Sequence, residues 1–261
     1  MKNAFLLFSL VLPLAALAQK KIKTIEVSDT IVYSTVDRPG DIYIVTKEGQ
    51  IQKFDKDGKL IVVYRHKGAP TLFDPRDGAK LFAYYRAQQE YDYLNPSFDM
   101  VSAFRIDPAF AIEPWLIAPS GEKKLWVLDN ADHSLKKVNP VDSEVEVEVV
   151  IDAALIEDAT AFTAIREYQN FVFLLNPKRG ILVFNSLGKH IKNILATGIN
   201  SFNFLGEELY YAVGDTVKFI DLFTAETREQ KLDSKPRNVI LTDERMVLIS
   251  LKSFDIFEYT P

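Results

Sequence analysis

The chain has 261 residues, 48% of them hydrophobic and 26% charged, with a formal net charge of −5. That balance is globular and excludes disordered, collagen-like and fibrous classes. The acidic surplus offers no basic footprint for nucleic acid. The absence of cysteine removes thiol catalysis, Cys-ligated zinc, iron–sulfur clusters and disulfides.

The first segment reads as an address. Lys2 supplies a positive start, residues 5–12 are apolar, and Ala16-Leu17-Ala18 gives a small-x-small cleavage pattern. The sequence therefore predicts a signal peptide over residues 1–18 and one mature domain over residues 19–261. The apolar run is short of the ~20 residues a spanning helix needs. No later run is long enough, so no membrane span is expected in the mature chain. No Cys follows the cleavage site, so a lipoprotein is not expected. The periplasm of a Gram-negative bacterium is the simplest compartment, with release to the exterior as the alternative. A disulfide-free exported chain must be stable by its core alone, which this length permits.

After residue 22, strand signals dominate. Apolar or alternating runs rich in Val, Ile, Phe and Tyr recur, as in Ile42-Tyr43-Ile44-Val45, Leu125-Trp126-Val127-Leu128 and Phe171-Val172-Phe173-Leu174. Turn signals such as Asp57-Gly58, Asn139-Pro140 and Asn176-Pro177 separate them. Residues 152–158 could form one or two helical turns. Residues 80–90 are the other helix candidate, although Phe82-Ala83-Tyr84-Tyr85 favours a strand in its first half.

The strands also repeat on a longer scale. The strongest strand of each unit begins its apolar run at Ile42, Leu81, Leu125, Phe171, Leu209 and Met246, at spacings of 39, 44, 46, 38 and 37 residues. A period of ~40 residues with four strands per unit marks a β-propeller. The first unit aligns as strands over 31–34, 41–45, 50–54 and 59–64. The fourth aligns as 161–164, 170–174, 181–184 and 190–195. The sixth unit has only three strands, over 238–241, 246–250 and 254–259, and a spare strand over 22–27 precedes the first unit. The sequence thus predicts an all-β, six-bladed β-propeller closed by pairing of the N-terminal strand with the last blade. Closure removes an open ring edge. Five or seven blades are the alternatives, and a pair of β-sandwiches would not explain the short sixth unit.

Little in this frame points to catalysis. His66, His133 and His190 fall at turns of different units without a zinc-binding spacing. Asp132-His133-Ser134 holds the residue types of a hydrolase relay, but adjacent residues cannot adopt its geometry. Asp55-Lys56-Asp57-Gly58 resembles the start of a calcium loop but lacks the later ligands, and a hairpin turn explains it. Gly-Lys pairs occur at Gly58-Lys59 and Gly188-Lys189 without the spacing of a phosphate loop. Asp129, Asn130 and Asn176 could converge on a central metal, yet turns supply these residues anyway. The alternation Glu144-Val145-Glu146-Val147-Glu148-Val149 reads as a solvated outer strand whose charges discourage edge pairing. No catalytic, cofactor-binding or metal residue is assigned, and no cofactor is expected.

The aromatics offer more. Tyr84, Tyr85, Tyr91 and Tyr93 cluster around Arg86 in the second unit. Amphipathic aromatics beside an Arg are typical of protein contact surfaces, which makes these five residues the candidates for partner binding. Ordinary packing between blades is the competing explanation. A groove lined by Tyr84, Tyr91 and Trp115 or Trp126 would instead favour a glycan- or peptide-binding module.

The stretches Gly68-Ala69-Pro70-Thr71-Leu72-Phe73-Asp74-Pro75 and Lys80-Leu81-Phe82-Ala83-Tyr84-Tyr85-Arg86, followed by Lys124-Leu125-Trp126-Val127-Leu128-Asp129-Asn130 and Ser134-Leu135-Lys136-Lys137-Val138, resemble small secreted propellers of Bacteroidota. Among these the chain is similar to the periplasmic plug subunit of the type IX secretion translocon. The resemblance implies a non-enzymatic interaction propeller that seals the periplasmic end of a very large outer-membrane β-barrel, its partner. A ligand-binding propeller, or a metal-assisted propeller hydrolase such as a lactonase, remain the alternatives.

Overall fold

Residues 20–156 and 158–260 are described by a computed structural model of the chain. The leader assigned to residues 1–18 lies outside them. A first strand, β1 (Lys21–Glu26), precedes five units of four strands and one of three. Blade 1 holds β2 (Ile31–Val36), β3 (Ile42–Thr46), β4 (Gln50–Phe54) and β5 (Leu60–Arg65). Blade 2 holds β6 (Leu72–Asp74), β7 (Leu81–Tyr85), β8 (Glu90–Leu94) and β9 (Met100–Arg105). Blade 3 holds β10 (Pro114–Pro119), β11 (Leu125–Asp129), β12 (Ser134–Asn139) and β13 (Glu144–Val150). Blade 4 holds β14 (Ala164–Tyr168), β15 (Phe171–Asn176), β16 (Gly180–Asn185) and β17 (His190–Ile194). Blade 5 holds β18 (Asn203–Leu205), β19 (Glu208–Val213), β20 (Thr216–Asp221) and β21 (Thr227–Lys231). Blade 6 holds β22 (Asn238–Leu241), β23 (Arg245–Ile249) and β24 (Ser253–Glu258).

Each blade is an antiparallel meander, and the sixth sheet runs β1-β24-β23-β22. The N-terminal strand is therefore the outer strand of the last blade, with Ile25 opposite Phe254 and Glu26 opposite Ser253. The fold is the all-β six-bladed propeller that the repeat predicts.

The second strand of every blade is sandwiched between neighbouring sheets, which is why it reads as a nearly unbroken apolar run. Ile42, Leu81, Leu125, Leu209 and Met246 are all buried. The core is divided into clusters between blades rather than one central mass. Trp126 and Phe162 belong to the largest, around blade 3. Phe54 and Phe254 lie in the cluster that joins blade 6 to blade 1.

Three details differ from the sequence reading. Residues 80–90 contain no helix; they are β7, a turn and the start of β8. Of residues 152–158, the described ones form one turn rather than two, closed by Leu155 N–H and Ile156 N–H on the Asp152 carbonyl. The first strand of blade 4 starts at Ala164 rather than ending there. A short 3-10 turn, Ala159–Ala161, precedes it, capped by Asp158, which accepts from Thr160 N at 2.8 Å. The described residues include no α-helix, and no helix long and apolar enough to cross a membrane.

Candidate functional site

The tyrosines singled out for partner contact are interior. Tyr84, Tyr85, Tyr91 and Tyr93 are each at most 8% exposed. Alternation along β7 and β8 sends them to opposite faces of one sheet. Tyr84, Tyr91 and Tyr93 pack toward blade 3, where Phe82 stacks on Tyr91 at a centroid distance of 5.7 Å. Tyr85 packs toward blade 1 with Tyr43 and Phe73. Burial drives the hydroxyls of all four above the ordinary tyrosine range. These rings pack between neighbouring blades and hold them together.

Arg86 is half-buried in the β7–β8 turn, its Cζ 3.5 Å from the Trp115 ring centroid. Trp115 in turn donates Nε1–H to the Phe162 carbonyl at 2.9 Å. Burial lowers the Arg86 pKa from its usual value. Tyr84, Tyr91 and Trp126 are all buried, so the aromatic groove considered for a glycan or peptide does not present these rings to a ligand.

The polar candidates are engaged in local structure. Asp129 is buried and accepts from Ile112 N, Glu113 N and Lys136 Nζ at 2.9–3.0 Å. Asn130 pairs with Glu113, and Asn176 caps its own turn through Lys178 N. Ser134 donates its hydroxyl to Asp132 Oδ1 at 2.5 Å, while His133 sits at φ 55° in the turn between them. Asp55 accepts from Asp57 N and Lys59 N, a hairpin turn with Gly58 at φ 78°. Among the described residues, no three His, Asp or Glu side chains are grouped to hold a metal ion.

The outer edge of the ring is where the surface becomes unusual. β5 and β9 terminate their sheets, so one backbone edge of each is unpaired in the fold. Leu60, Ile61 and Val63 on β5, with Met100, Val101 and Phe104 on β9, are 41–60% exposed. The other outer strands are protected. β13 presents Glu144, Glu146 and Glu148, with exposed Val150 only at its end, and β21 reads Thr-Arg-Glu-Gln-Lys. β17 and β1 each carry one exposed Ile among Lys, His and Thr. Unpaired strands normally carry charge against edge-to-edge association, and exposed apolar side chains concentrated in one region mark interaction sites.

Between β5 and β9, Lys67 bridges the two blades. Its Nζ reaches Glu90 at 2.7 Å and the buried Asp92 at 3.2 Å, and lies 5.6 Å from the Tyr85 ring centroid. Burial pulls the Lys67 pKa down, but the bonds to Glu90 and Asp92 outweigh it and raise the value above normal. Tyr64 on β5 stacks on Phe98 of blade 2 at 5.3 Å and 13°. The two apolar edges thus sit on a locked blade 1–blade 2 pair. The apolar run Leu60-Ile61-Val62-Val63 of β5 is the sequence signal for this edge, but inner strands of the blades carry the same kind of run.

Comparison with family models and with curated sequences finds no match. Solved structures of the same fold do match. Virginiamycin B lyase from Staphylococcus aureus superposes with a TM-score of 0.58 at 12% identity, over 91% of this chain and 98% of that one. The β-propeller domain of Cps50 (Swd1) from Myceliophteria thermophila gives 0.64 at 10% identity, over 93% and 100%. The extracellular domain of the one component system BT4673 from B. thetaiotaomicron gives 0.56 at 14% identity, over 88% of this chain and 33% of that domain. Likeness at this identity shows the propeller fold alone, on which proteins of varied function are built.

Proposed function

We propose that the chain is a non-enzymatic, exported interaction propeller that docks through the outer edge of blades 1 and 2. Its partner is an outer-membrane β-barrel, and the best-fitting role is the periplasmic plug of the type IX secretion translocon. The observation that carries the docking reading is the apolar, unpaired character of β5 and β9. A strand edge of this kind accepts a further strand, backbone bonds giving affinity and side chains giving specificity. The leader at residues 1–18 and the resemblance to secreted Bacteroidota propellers support the compartment and the partner. A rigid ring covers a pore without spanning the membrane.

The test is co-purification of the tagged protein from its own envelope in mild detergent, beside an I61K/V101K variant. Recovery of a very large outer-membrane barrel at near-equal amount, lost in the variant, is the expected result. Recovery of the wild-type propeller alone refutes a stable complex. Equal recovery with both proteins refutes the edge as the docking site.

A further inference from the structure

At one end of the central channel the first hairpins of all six blades surround a cavity of about 890 Å³, and its floor is charged. Asp74, at the end of β6, receives Arg76 Nε at 2.8 Å on Oδ1 and 2.7 Å on Oδ2. Arg76 also donates Nη1–H across the channel, from blade 2 to the Glu167 carbonyl in blade 4. Arg166, beside Glu167 on β14, donates Nη1–H to Asn203 Oδ1 in blade 5. Its Cζ lies 5.1 Å from the Phe204 ring centroid. Two guanidiniums and one carboxylate therefore meet under the cavity.

The charges do not balance there. Both oxygens of Asp74 are taken by Arg76. Arg166 lines the cavity, makes no ion pair among the described residues, and keeps a buried Nε without an acceptor. Burial first, and then the neighbouring charge of Arg76, bring its pKa down to about 10, which leaves it cationic at neutral pH. Asp74 offsets the Arg166 charge only through space, with both of its oxygens already on Arg76, and an anion beside Arg166 would complete that compensation. A guanidinium matches a carboxylate or phosphate with parallel N–H donors. The rest of the lining carries five acidic and three basic side chains, so the positive character is confined to the floor at Arg166. Beside Arg166 the wall is aromatic: Tyr168 and Phe204 stack at 4.1 Å and 7°. The volume lies in the range of small-molecule sites, which combine apolar walls with a few placed polar groups.

We propose that this cavity binds a small organic carboxylate, its anionic group on Arg166 and its apolar body against Tyr168 and Phe204. The site is remote from β5 and β9, so its test stands or falls separately from partner docking. A phosphate ester offers the same oxyanion chemistry, and the experiment separates the two.

The probes are N-acetylphenylalanine, its uncharged amide and phenyl phosphate, titrated calorimetrically into the wild-type protein and R166M. The carboxylate should bind the wild type, and the amide should bind at least tenfold more weakly. R166M should lose at least tenfold in carboxylate affinity while still unfolding in one cooperative thermal transition. R166K should fall between them. A purely structural arginine would instead leave acid and amide indistinguishable on the wild type. That outcome overturns the proposal, as does undiminished binding to R166M or no binding of the carboxylate. Preference for phenyl phosphate overturns the carboxylate assignment.

Discussion

The closing seam of the ring gives the most quantitative prediction. Phe254 on β24 is fully buried, sits opposite Ile25 of the N-terminal strand, and meets Phe54 of blade 1 edge-to-face at 5.1 Å and 76°. It therefore ties together the last blade, its borrowed strand and the first blade. Phe254→Ala removes a whole buried ring, which typically costs ~3–5 kcal/mol. Of this, ~0.5–1.5 kcal/mol belongs to the aromatic pair. Against a typical total of ~5–15 kcal/mol, the loss is a large share of the fold's stability. Both tryptophans, Trp115 and Trp126, lie in blade 3, far around the ring from the seam. Urea unfolding followed by their fluorescence then reports whether damage at the seam is felt across the propeller. The expected result is a lower midpoint with an unchanged slope, while the exposed Phe223→Ala stays within ~0.5 kcal/mol of wild type. A loss below ~1 kcal/mol for Phe254→Ala, or a tryptophan transition that does not move, refutes the picture of one cooperatively closed ring.

Gly180→Ala should destabilise by at least ~2 kcal/mol in the same assay, because Gly180 holds φ 108° and a Cβ would collide with the Ile194 carbonyl and stand 2.7 Å from Ala196 N. Asp74 governs an acid limb of stability. Burial raises its pKa, but Arg76, Arg166 and the hydrogen bonds outweigh burial and hold the carboxyl below its ordinary 3.8. A depressed folded value adds stability that is complete above the unfolded value and is lost as pH falls through the folded one. The wild-type midpoint should thus drop as pH falls below about 4, and Asp74→Asn should flatten that limb while losing ~3 kcal/mol at neutral pH by stranding Arg76. I61K/V101K should change stability by no more than ~0.5 kcal/mol, so any loss of partner capture is a surface effect, checked by its urea midpoint.

The ring was legible because its signal is repeated. Six second strands, at intervals near 40 residues, each print an apolar run of four or five residues. The missing strand of the last unit and the surplus strand before the first point to the same pairing. The channel mouth was not legible for the opposite reason. β14 carries Arg166 and Glu167 in an innermost strand, and these charged residues break the apolar pattern that marks a strand in the sequence. Only the folded ring brings Asp74, Arg76, Arg166 and Asn203 together from three blades. The burial of the second-unit tyrosines was not legible because aromatic richness is shared by interfaces and by packed blade faces. Their burial is decided by neighbouring sheets, which lie far away in sequence.

The central claim, that the outer edge of blades 1 and 2 docks on an outer-membrane barrel, is tested most directly by site-specific photo-crosslinking in the native envelope. A photoreactive residue at Val101 on β9 is compared with one at Gln230 on the polar β21 of blade 5. The account predicts a single high-mass adduct with one large β-barrel from position 101 and none from position 230. Equal adducts from both positions, or none from position 101 while the protein remains folded and exported, would contradict it.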